Sequence, residues 1–177
     1  MMSQERKKGM IRLRNELEIC RESSYLTNFG ITVGLKDKSN LHEWICTLIG
    51  GRDTPYEGGI FSLRIKFPDD YPGRGPSIFF ITPIYHVNVC FKSGEVGFNA
   101  IYNGNPNYSM EEVLAQLFLI FYKPNPNSPW DHLMAKECKE NRELYDNKIK
   151  YFTKKYASDN LENNNNGIWD FSYNNKY

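Results

Sequence analysis

The sequence predicts a single α+β domain in which helices pack against one antiparallel sheet. Three observations carry this prediction: a helical apolar pattern near the N-terminus, four β-rich segments joined by short turns, and a strongly apolar helix in the second half. The chain has 177 residues, of which 40% are hydrophobic and 24% charged, enough for one hydrophobic core. The formal net charge of +1 argues against a nucleic-acid partner held by bulk electrostatics.

The first half of the chain predicts a helix followed by a β-meander. Apolar residues recur at spacings of three and four between Met10 and Cys20, which predicts a helix over Arg6–Arg21. Four β-rich or alternating segments then predict strands at Ile31–Leu35, Leu41–Ile49, Phe61–Phe67 and Ser77–Thr82. Because only short turns separate these strands, neighbours are expected to pair antiparallel.

A long loop and an apolar helix follow the strands. Pro83–Tyr108 is rich in Gly, Asn and Pro and has no periodicity, and a loop of that length in a compact domain is usually functional. Ser109 and Glu112 have the spacing of a capping box, so a helix with a wide apolar stripe begins there and stops before Pro124. We expect this helix to lie beneath other elements.

The C-terminal part predicts short helices and then an asparagine-rich tail. Short helices are expected around Leu133–Lys139, followed by an amphipathic helix over Tyr145–Tyr156. We expect a flexible N-terminus over residues 1–8, one domain over residues 9–158 and a flexible tail over residues 159–177. A docking motif in the tail is a weaker interpretation than sequence drift; it would use Trp169, Phe171 and Tyr173.

The four cysteines predict reduced thiols. Cys20, Cys46, Cys90 and Cys138 lie far apart and form no CxxC pair, which argues against a zinc site. All but Cys90 lie in patterned segments and are expected in the core. No segment approaches the roughly 20 apolar residues of a membrane span, and no signal peptide is visible, so we expect the cytosol or nucleus.

Four motifs occur in a fixed order along the chain. They are Thr54–Gly59 (Thr-Pro-Tyr-Glu-Gly-Gly), Phe67–Pro72 (Phe-Pro-Asp-Asp-Tyr-Pro), Thr82–Asn88 (Thr-Pro-Ile-Tyr-His-Val-Asn) and Pro124–Pro126 (Pro-Asn-Pro). With these motifs the chain resembles the ubiquitin-conjugating enzymes over about Gly9–Ser158. The resemblance implies an N-terminal helix, a four-stranded antiparallel meander, a long active-site loop, a central crossover helix and C-terminal helices.

The resemblance also implies a chemistry and shows where this chain departs from it. In that family a cysteine thiolate takes the C-terminal glycine of ubiquitin or a ubiquitin-like protein from an activating enzyme as a thioester, which a lysine then attacks. The position that matches this cysteine is Gly97, which has no side chain and cannot be a nucleophile. A residue at the gate after the Pro-Asn-Pro motif, often aspartate, helps to place the lysine, and Ser128 falls there.

His86 and Asn88 match the ends of the family's His-Pro-Asn motif, whose asparagine supports the oxyanion or the loop around it. Val87 replaces the proline and is expected to loosen the turn. For His86 we favour a turn histidine bonded to backbone, and for Asn88 a loop side chain that satisfies buried amides. The chain also departs from the family's usual residues at Gly104, where a tryptophan is common, and at Gly73 and Asn107, where many members contact ligases. Pro106 keeps the family's proline.

These departures favour a non-catalytic scaffold that holds ubiquitin or a ubiquitin-like protein, or that pairs with an active conjugating enzyme. One alternative is an active transferase that uses Cys90, seven residues before Gly97, and another is that Gly97 replaces a natural cysteine. An alternative of a different class is a binding module unrelated to ubiquitin. The resemblance leaves a ligase open as a partner. It requires no metal, cofactor, nucleic acid or membrane.

Overall fold

The computed structural model describes residues 4–97 and 108–158. Within these ranges, helices α1 (Gln4–Glu22) and α2 (Ser24–Asn28) precede four strands, and three helices follow the strands. The strands are β1 (Ile31–Leu35), β2 (Glu43–Ile49), β3 (Ile60–Lys66) and β4 (Ser77–Phe80). The later helices are α3 (Met110–Tyr122), α4 (His132–Glu140) and α5 (Arg142–Tyr156). The α+β class is confirmed.

One antiparallel sheet has the strand order β1-β2-β3-β4, which confirms the predicted meander. Trp44, Cys46 and Leu48 of β2 lie opposite Ile65, Leu63 and Phe61 of β3, and all six side chains are buried. The alternation that predicted these strands therefore marks the face of the sheet that packs on the core. Cys20 and Cys138 are buried as well, so the predicted core positions of these cysteines are confirmed.

The structure differs from the predicted elements at several places, and three of these differences have a clear local reason. Helix α2 was not predicted; the Ser23 hydroxyl begins it by accepting the Leu26 N–H at 3.1 Å. Strand β2 begins at Glu43 rather than two residues earlier, because the Asn40 side chain accepts the His42 N–H at 2.9 Å and forms a turn. Strand β4 ends at Phe80, since the next two amides both donate to the Ser62 carbonyl.

Helix α3 lies across the core as expected. Its capping box is confirmed, with the Ser109 hydroxyl accepting the Glu112 N–H and the Glu112 carboxylate accepting the Ser109 N–H. The buried Glu16 carboxylate of α1 accepts the Met110 N–H at 2.9 Å and so holds the start of α3 against α1. Leu119 and Tyr122 remain 43% and 42% exposed, so one side of α3 is open to solvent.

Several expectations concern residues outside the described ranges. They are the matches at Gly104, Pro106 and Asn107 and the tail aromatics Trp169, Phe171 and Tyr173. Helix α1 begins at Gln4, earlier than expected, and so includes part of segment 1–8. Within the described residues, none of the helices combines the length and apolar character needed to cross a bilayer.

Candidate functional site

The turn before β3 positions the loop that carries His86 and Asn88. Gly58 has a φ of +77°, a backbone conformation that glycine adopts without strain. This turn presents Tyr56, whose ring stacks on Phe121 of α3 at 4.5 Å between centroids. The buried Tyr56 hydroxyl donates to the Tyr85 carbonyl at 2.8 Å, directly before His86. The first motif of the sequence thus fixes the start of the candidate site.

Tyr85 also ties this loop to the C-terminal helices. Its hydroxyl donates to Glu137 of α4 at 2.7 Å, and Lys148 of α5 donates to the same carboxylate at 2.6 Å. Burial, together with the Glu137 carboxylate, raises the pKa of Tyr85, so the hydroxyl stays protonated and remains a donor. The loop is therefore anchored from α3, α4 and α5.

His86 is fully buried and bonded to backbone through both ring nitrogens. Nδ1 accepts the Asn88 N–H at 3.0 Å, so the ring proton is on Nε2, which donates to the Ile120 carbonyl at 3.0 Å. Burial lowers the pKa of His86 from 6.5 to about 4, with the Arg142 charge acting in the same direction and the bond to Ile120 opposing it. This geometry matches the structural role favoured for His86 from the sequence.

The Asn88 side chain is fully buried, and its amide is saturated. Its Nδ2 donates to the carbonyls of Asn125 and Ser128 at 2.8 and 2.9 Å, and its Oδ1 accepts the Asn125 N–H at 2.8 Å. An amide has two N–H donors, and both are used here. Asn88 therefore holds the segment that begins with the Pro-Asn-Pro motif, and Ser128 contributes its carbonyl to that contact.

Val87 is held on both sides, although its φ is not restricted by a proline ring. Its N–H donates to the Tyr145 hydroxyl of α5 at 3.0 Å, and its carbonyl accepts the Trp130 N–H at 2.9 Å. A proline at this position would have no N–H for Tyr145. The sequence predicted that Val87 would loosen the turn. Instead, the Val87 N–H, which a proline would lack, is bonded to Tyr145 and helps to hold the turn.

We expect Tyr145→Phe to lower the free energy of unfolding by about 1–2 kcal/mol, because the buried Val87 N–H would lose its acceptor. Urea unfolding measures the change. Tyr25→Phe is the matched control, since the Tyr25 ring is 52% exposed, and its loss should stay below about 0.5 kcal/mol. Equal losses in the two variants would contradict the role assigned to Tyr145.

Gly97 lies opposite Asn88 on a short antiparallel pair. Its N–H donates to the Asn88 carbonyl at 2.9 Å, next to the bridge between Val89 and Val96. A Cβ added at Gly97 would lie 3.2 Å from Nε1 of Trp130 and 3.4 Å from the Asn88 carbonyl oxygen. Gly97, which the motifs predict to match the family's nucleophile, thus lies beside the indole of Trp130.

Cys90 lies opposite Glu95 on the same short antiparallel backbone pair. Its N–H donates to the Glu95 carbonyl at 2.8 Å. Partial burial raises the pKa of the Cys90 thiol, but hydrogen bonds from the Ser93 hydroxyl and from the amides of Ser93 and Lys92 outweigh burial, so the pKa is lowered overall. The Asn88 amide is bonded to Asn125 and Ser128 instead. These contacts do not join Cys90 to the Asn88 side chain.

The structure brings together four residues singled out from the sequence, namely His86, Asn88, Gly97 and Ser128. Sequence reasoning missed Trp130, which lies against Gly97. The available signal was its place directly after Pro129, at the end of the segment that Asn88 holds.

The comparisons with known proteins agree with the fold. A family model described as "Ubiquitin-conjugating enzyme" matches residues 12–153. The chain belongs to the ubiquitin-conjugating enzyme family. An Arabidopsis thaliana relative named probable ubiquitin-conjugating enzyme E2 31 is 37% identical over 124 residues, or 70% of this chain and 80% of that protein. Ubiquitin conjugating enzyme E2 B of Dictyostelium discoideum is 34% identical over 118 residues, or 67% of this chain and 80% of that protein.

Solved structures show the same relationship. A Plasmodium yoelii crystal structure assigned to the ubiquitin conjugating enzymes aligns with a TM-score of 0.74 at 31% identity, covering 89% of this chain and 98% of that one. A Toxoplasma gondii ubiquitin conjugating enzyme E2 domain aligns with a TM-score of 0.72 at 28% identity, covering 84% and 99%. This ubiquitin-conjugating enzyme family member therefore has the family's fold, and the resemblance stated from its motifs is confirmed.

Proposed function

We propose that this chain is a scaffold of ubiquitin or ubiquitin-like modification that does not carry the modifier as a thioester. One observation supports the proposal most directly: the residue opposite Asn88, at the nucleophile position, is Gly97. Acyl capture needs a nucleophilic atom at the place where the carbonyl carbon arrives. A glycine offers only hydrogen on its α-carbon, and its own N–H already donates to Asn88.

The hydrogen bonds around Asn88 support the same proposal. An asparagine that stabilises an oxyanion must have an N–H free to donate to it, and removing one such donor typically costs about 10²–10³ in kcat. Both N–H groups of Asn88 donate to carbonyls of Asn125 and Ser128, and the side chain is fully buried. Asn88 and His86 then act as braces of the loop, and Ser128 acts through its backbone.

A scaffold needs a stable body and a partner, not a nucleophile. The braces through Tyr56, Glu137 and Tyr145 hold the loop without a side chain at residue 97. The partners that follow from the family are ubiquitin or a ubiquitin-like protein and an active conjugating enzyme or ligase. Such a role needs no nucleic acid, membrane or cofactor. We propose that the protein acts in the cytosol or nucleus.

An active transferase that uses Cys90 is the second candidate. The half-exposed thiol and its lowered pKa favour it, because the thiolate is the reactive form of cysteine. Its position opposite Glu95, rather than opposite Asn88, weighs against it. Displacement of a reacting group by about 1 Å can already cost about 100-fold in rate.

A charging assay separates these candidates. The chain is mixed with ATP, ubiquitin and an activating enzyme and run on a non-reducing gel beside an active conjugating enzyme. We expect no reducible adduct for the wild type or for Cys90→Ala. An adduct that disappears in Cys90→Ala would contradict the scaffold and establish the transferase.

Two further measurements complete the test. Mass spectrometry of the protein from its natural source checks whether Gly97 replaces a natural cysteine, which would restore the ordinary enzyme. Titration of the labelled chain with ubiquitin and with an active conjugating enzyme should show binding to at least one of them. Absence of both binding events would favour the binding module unrelated to ubiquitin.

A further inference from the structure

A continuous row of aromatic rings joins α2 to α3. Tyr25 of α2 packs edge-on against Phe29, with 4.7 Å between the ring centroids. Phe29 lies 4.7 Å from Phe118 of α3, and Phe118 lies 5.3 Å from Tyr122. We call these four residues the aromatic ladder. Because each ring contacts the next, the four side chains form one connected surface.

Both ends of the aromatic ladder are open to solvent. Tyr25 is 52% exposed and Tyr122 is 42% exposed, whereas Phe118 is buried and Phe29 is partly buried against the core. Exposed aromatic rings are ordinary when they are scattered, but a contiguous group of them marks a contact surface. Aromatic rings pair well at centroid distances of about 4.5–7 Å. The ladder is therefore suited to a partner that presents aromatic side chains of its own.

Helix α5 ends close to this ladder. The Ile60 N–H of β3 donates to the Ala157 carbonyl at 2.7 Å, so the end of α5 lies beside the start of β3. Ile49 of β2 pairs with Ile60, and the Ile49 N–H donates to the carbonyl of Gly30, the residue after Phe29. Each of these three steps is about one strand spacing of 4.8 Å, so Ala157 is at most about 15 Å from Gly30.

The chain beyond α5 contains a segment that matches the ladder in length and chemistry. In Trp169–Tyr173 three aromatic residues alternate with Asp170 and Ser172, so an extended backbone would place all three rings on one side. Such a segment spans about 13 Å from its first ring to its last. The three centroid steps of the ladder measure 4.7, 4.7 and 5.3 Å. The sequence alone favoured drift for these aromatics, but the ladder provides a surface of matching size.

The linker between Ser158 and Trp169 is long enough to reach the ladder. It consists of the ten residues 159–168, among them four consecutive asparagines. Ten residues reach about 33 Å when fully extended, and the r.m.s. end-to-end distance of ten flexible residues is about 17 Å. That distance is close to the span of about 15 Å between Ala157 and Gly30. An intramolecular contact is favoured most when the length of the linker matches the span.

We propose that the aromatic ladder is the docking site of this chain's own segment Trp169–Tyr173. The tail crosses the end of the sheet, and its three rings pack on Tyr25, Phe29 and Tyr122, with the polar residues between them facing solvent. The contact covers the surface between α2 and α3 within the same molecule, so a partner that binds there must displace the tail. It needs neither a thioester nor a modifier and is independent of the proposed scaffold function.

Backbone amide signals of the ¹⁵N-labelled full chain test the contact. The variant Trp169→Ser/Phe171→Ser/Tyr173→Ser removes all three rings, and we expect it to shift the amide signals of α2. Tyr177→Ser is the matched control, because it removes an aromatic residue of the same tail outside the alternating segment. It should leave the α2 signals in place. Unmoved α2 signals in the triple variant would overturn the proposal.

A reciprocal variant changes the ladder and observes the tail. Tyr25→Ser/Tyr122→Ser removes the two exposed rings, and we expect it to shift the Trp169 indole N–H signal, which is assigned by its loss in the triple variant. Ile11→Ser is the control, because Ile11 is 62% exposed on α1 and is not part of the ladder. Thermal unfolding checks that each variant keeps the fold. An identical Trp169 signal in the wild type and the double variant would refute this docking site.

Dilution distinguishes the chain's own tail from the tail of a second copy. An intramolecular contact does not depend on protein concentration, so the shifts between the wild type and the triple variant should persist on dilution by about tenfold. Shifts that fade on dilution would show that the tail docks on a second copy, which contradicts the proposal. The charging and binding assays of the proposed function do not require the tail contact, so the two proposals succeed or fail separately.

Discussion

Asn88→Ala is expected to lower the free energy of unfolding by about 3 kcal/mol. The substitution removes three hydrogen bonds of 2.8–2.9 Å, and it leaves the N–H and carbonyl of Asn125 and the carbonyl of Ser128 without their partner. These bonds join the loop that carries His86 and Asn88 to the segment after α3. An effect of this size on stability is expected of a brace and not of a residue that acts only in a transition state.

Urea unfolding of the wild type, Asn88→Ala and Asn88→Asp measures the effect. Asn88→Asp keeps the acceptor for the Asn125 N–H but replaces both donors by oxygen in a fully buried position, so it should be at least as destabilising. Asn127→Ala, on an exposed residue of the same segment, is the control and should change stability by less than about 0.5 kcal/mol. If Asn88→Ala lowered the free energy of unfolding by less than about 1 kcal/mol, the bracing role would be refuted.

Acidification from pH 7 to pH 4 is expected to cost about 3 kcal/mol of stability through His86 alone. The pKa of His86 is lowered from 6.5 to about 4 in the fold, first by burial of the ring and then by the charge of Arg142. The unfolded state therefore binds the proton more readily between these two values. Stability is fully present above pH 6.5 and is lost as the pH falls toward 4. Protonation of Nδ1 also breaks its bond to the Asn88 N–H.

Unfolding measured across this pH range, in the wild type and in His86→Gln, isolates the contribution of His86. The variant should be less stable at pH 7 but should lose less stability on acidification, because its residue 86 does not titrate. His132→Gln, on the exposed first residue of α4, should keep the wild-type slope. Parallel pH profiles of His86→Gln and the wild type would show that His86 is not the titrating group.

Much of the fold could be predicted because its elements bury one face. Trp44, Cys46 and Leu48 alternate along β2, and the same alternation sets which face of the sheet meets the core. The Ser109–Glu112 box predicted the start of α3 for a similar reason, since a cap is a contact between residues three apart. Helix α2 could not be predicted, because five residues are too few to show a period and its cap depends on Ser23 alone.

Part of the candidate site could also be predicted from the sequence, and part could not. Its residue types were visible in the motifs, and the lack of a side chain at Gly97 follows from the letter itself. Whether Asn88 has a free N–H could not be predicted, because its partners at residues 125 and 128 come from a segment that lies 37 and 40 residues away. The same holds for Val87, whose N–H meets Tyr145 of α5 across 58 residues.

By itself the sequence determined the family, the order of helices and strands, and the absence of a thiol at residue 97, since motifs, periodicity and residue identity are properties of the chain read in order. Only the tertiary structure decided that the Asn88 amide is already saturated and that the indole of Trp130 lies beside Gly97. Those contacts join segments far apart in the chain, and hydrogen bonds and side-chain packing between such segments depend on distances that exist only after folding.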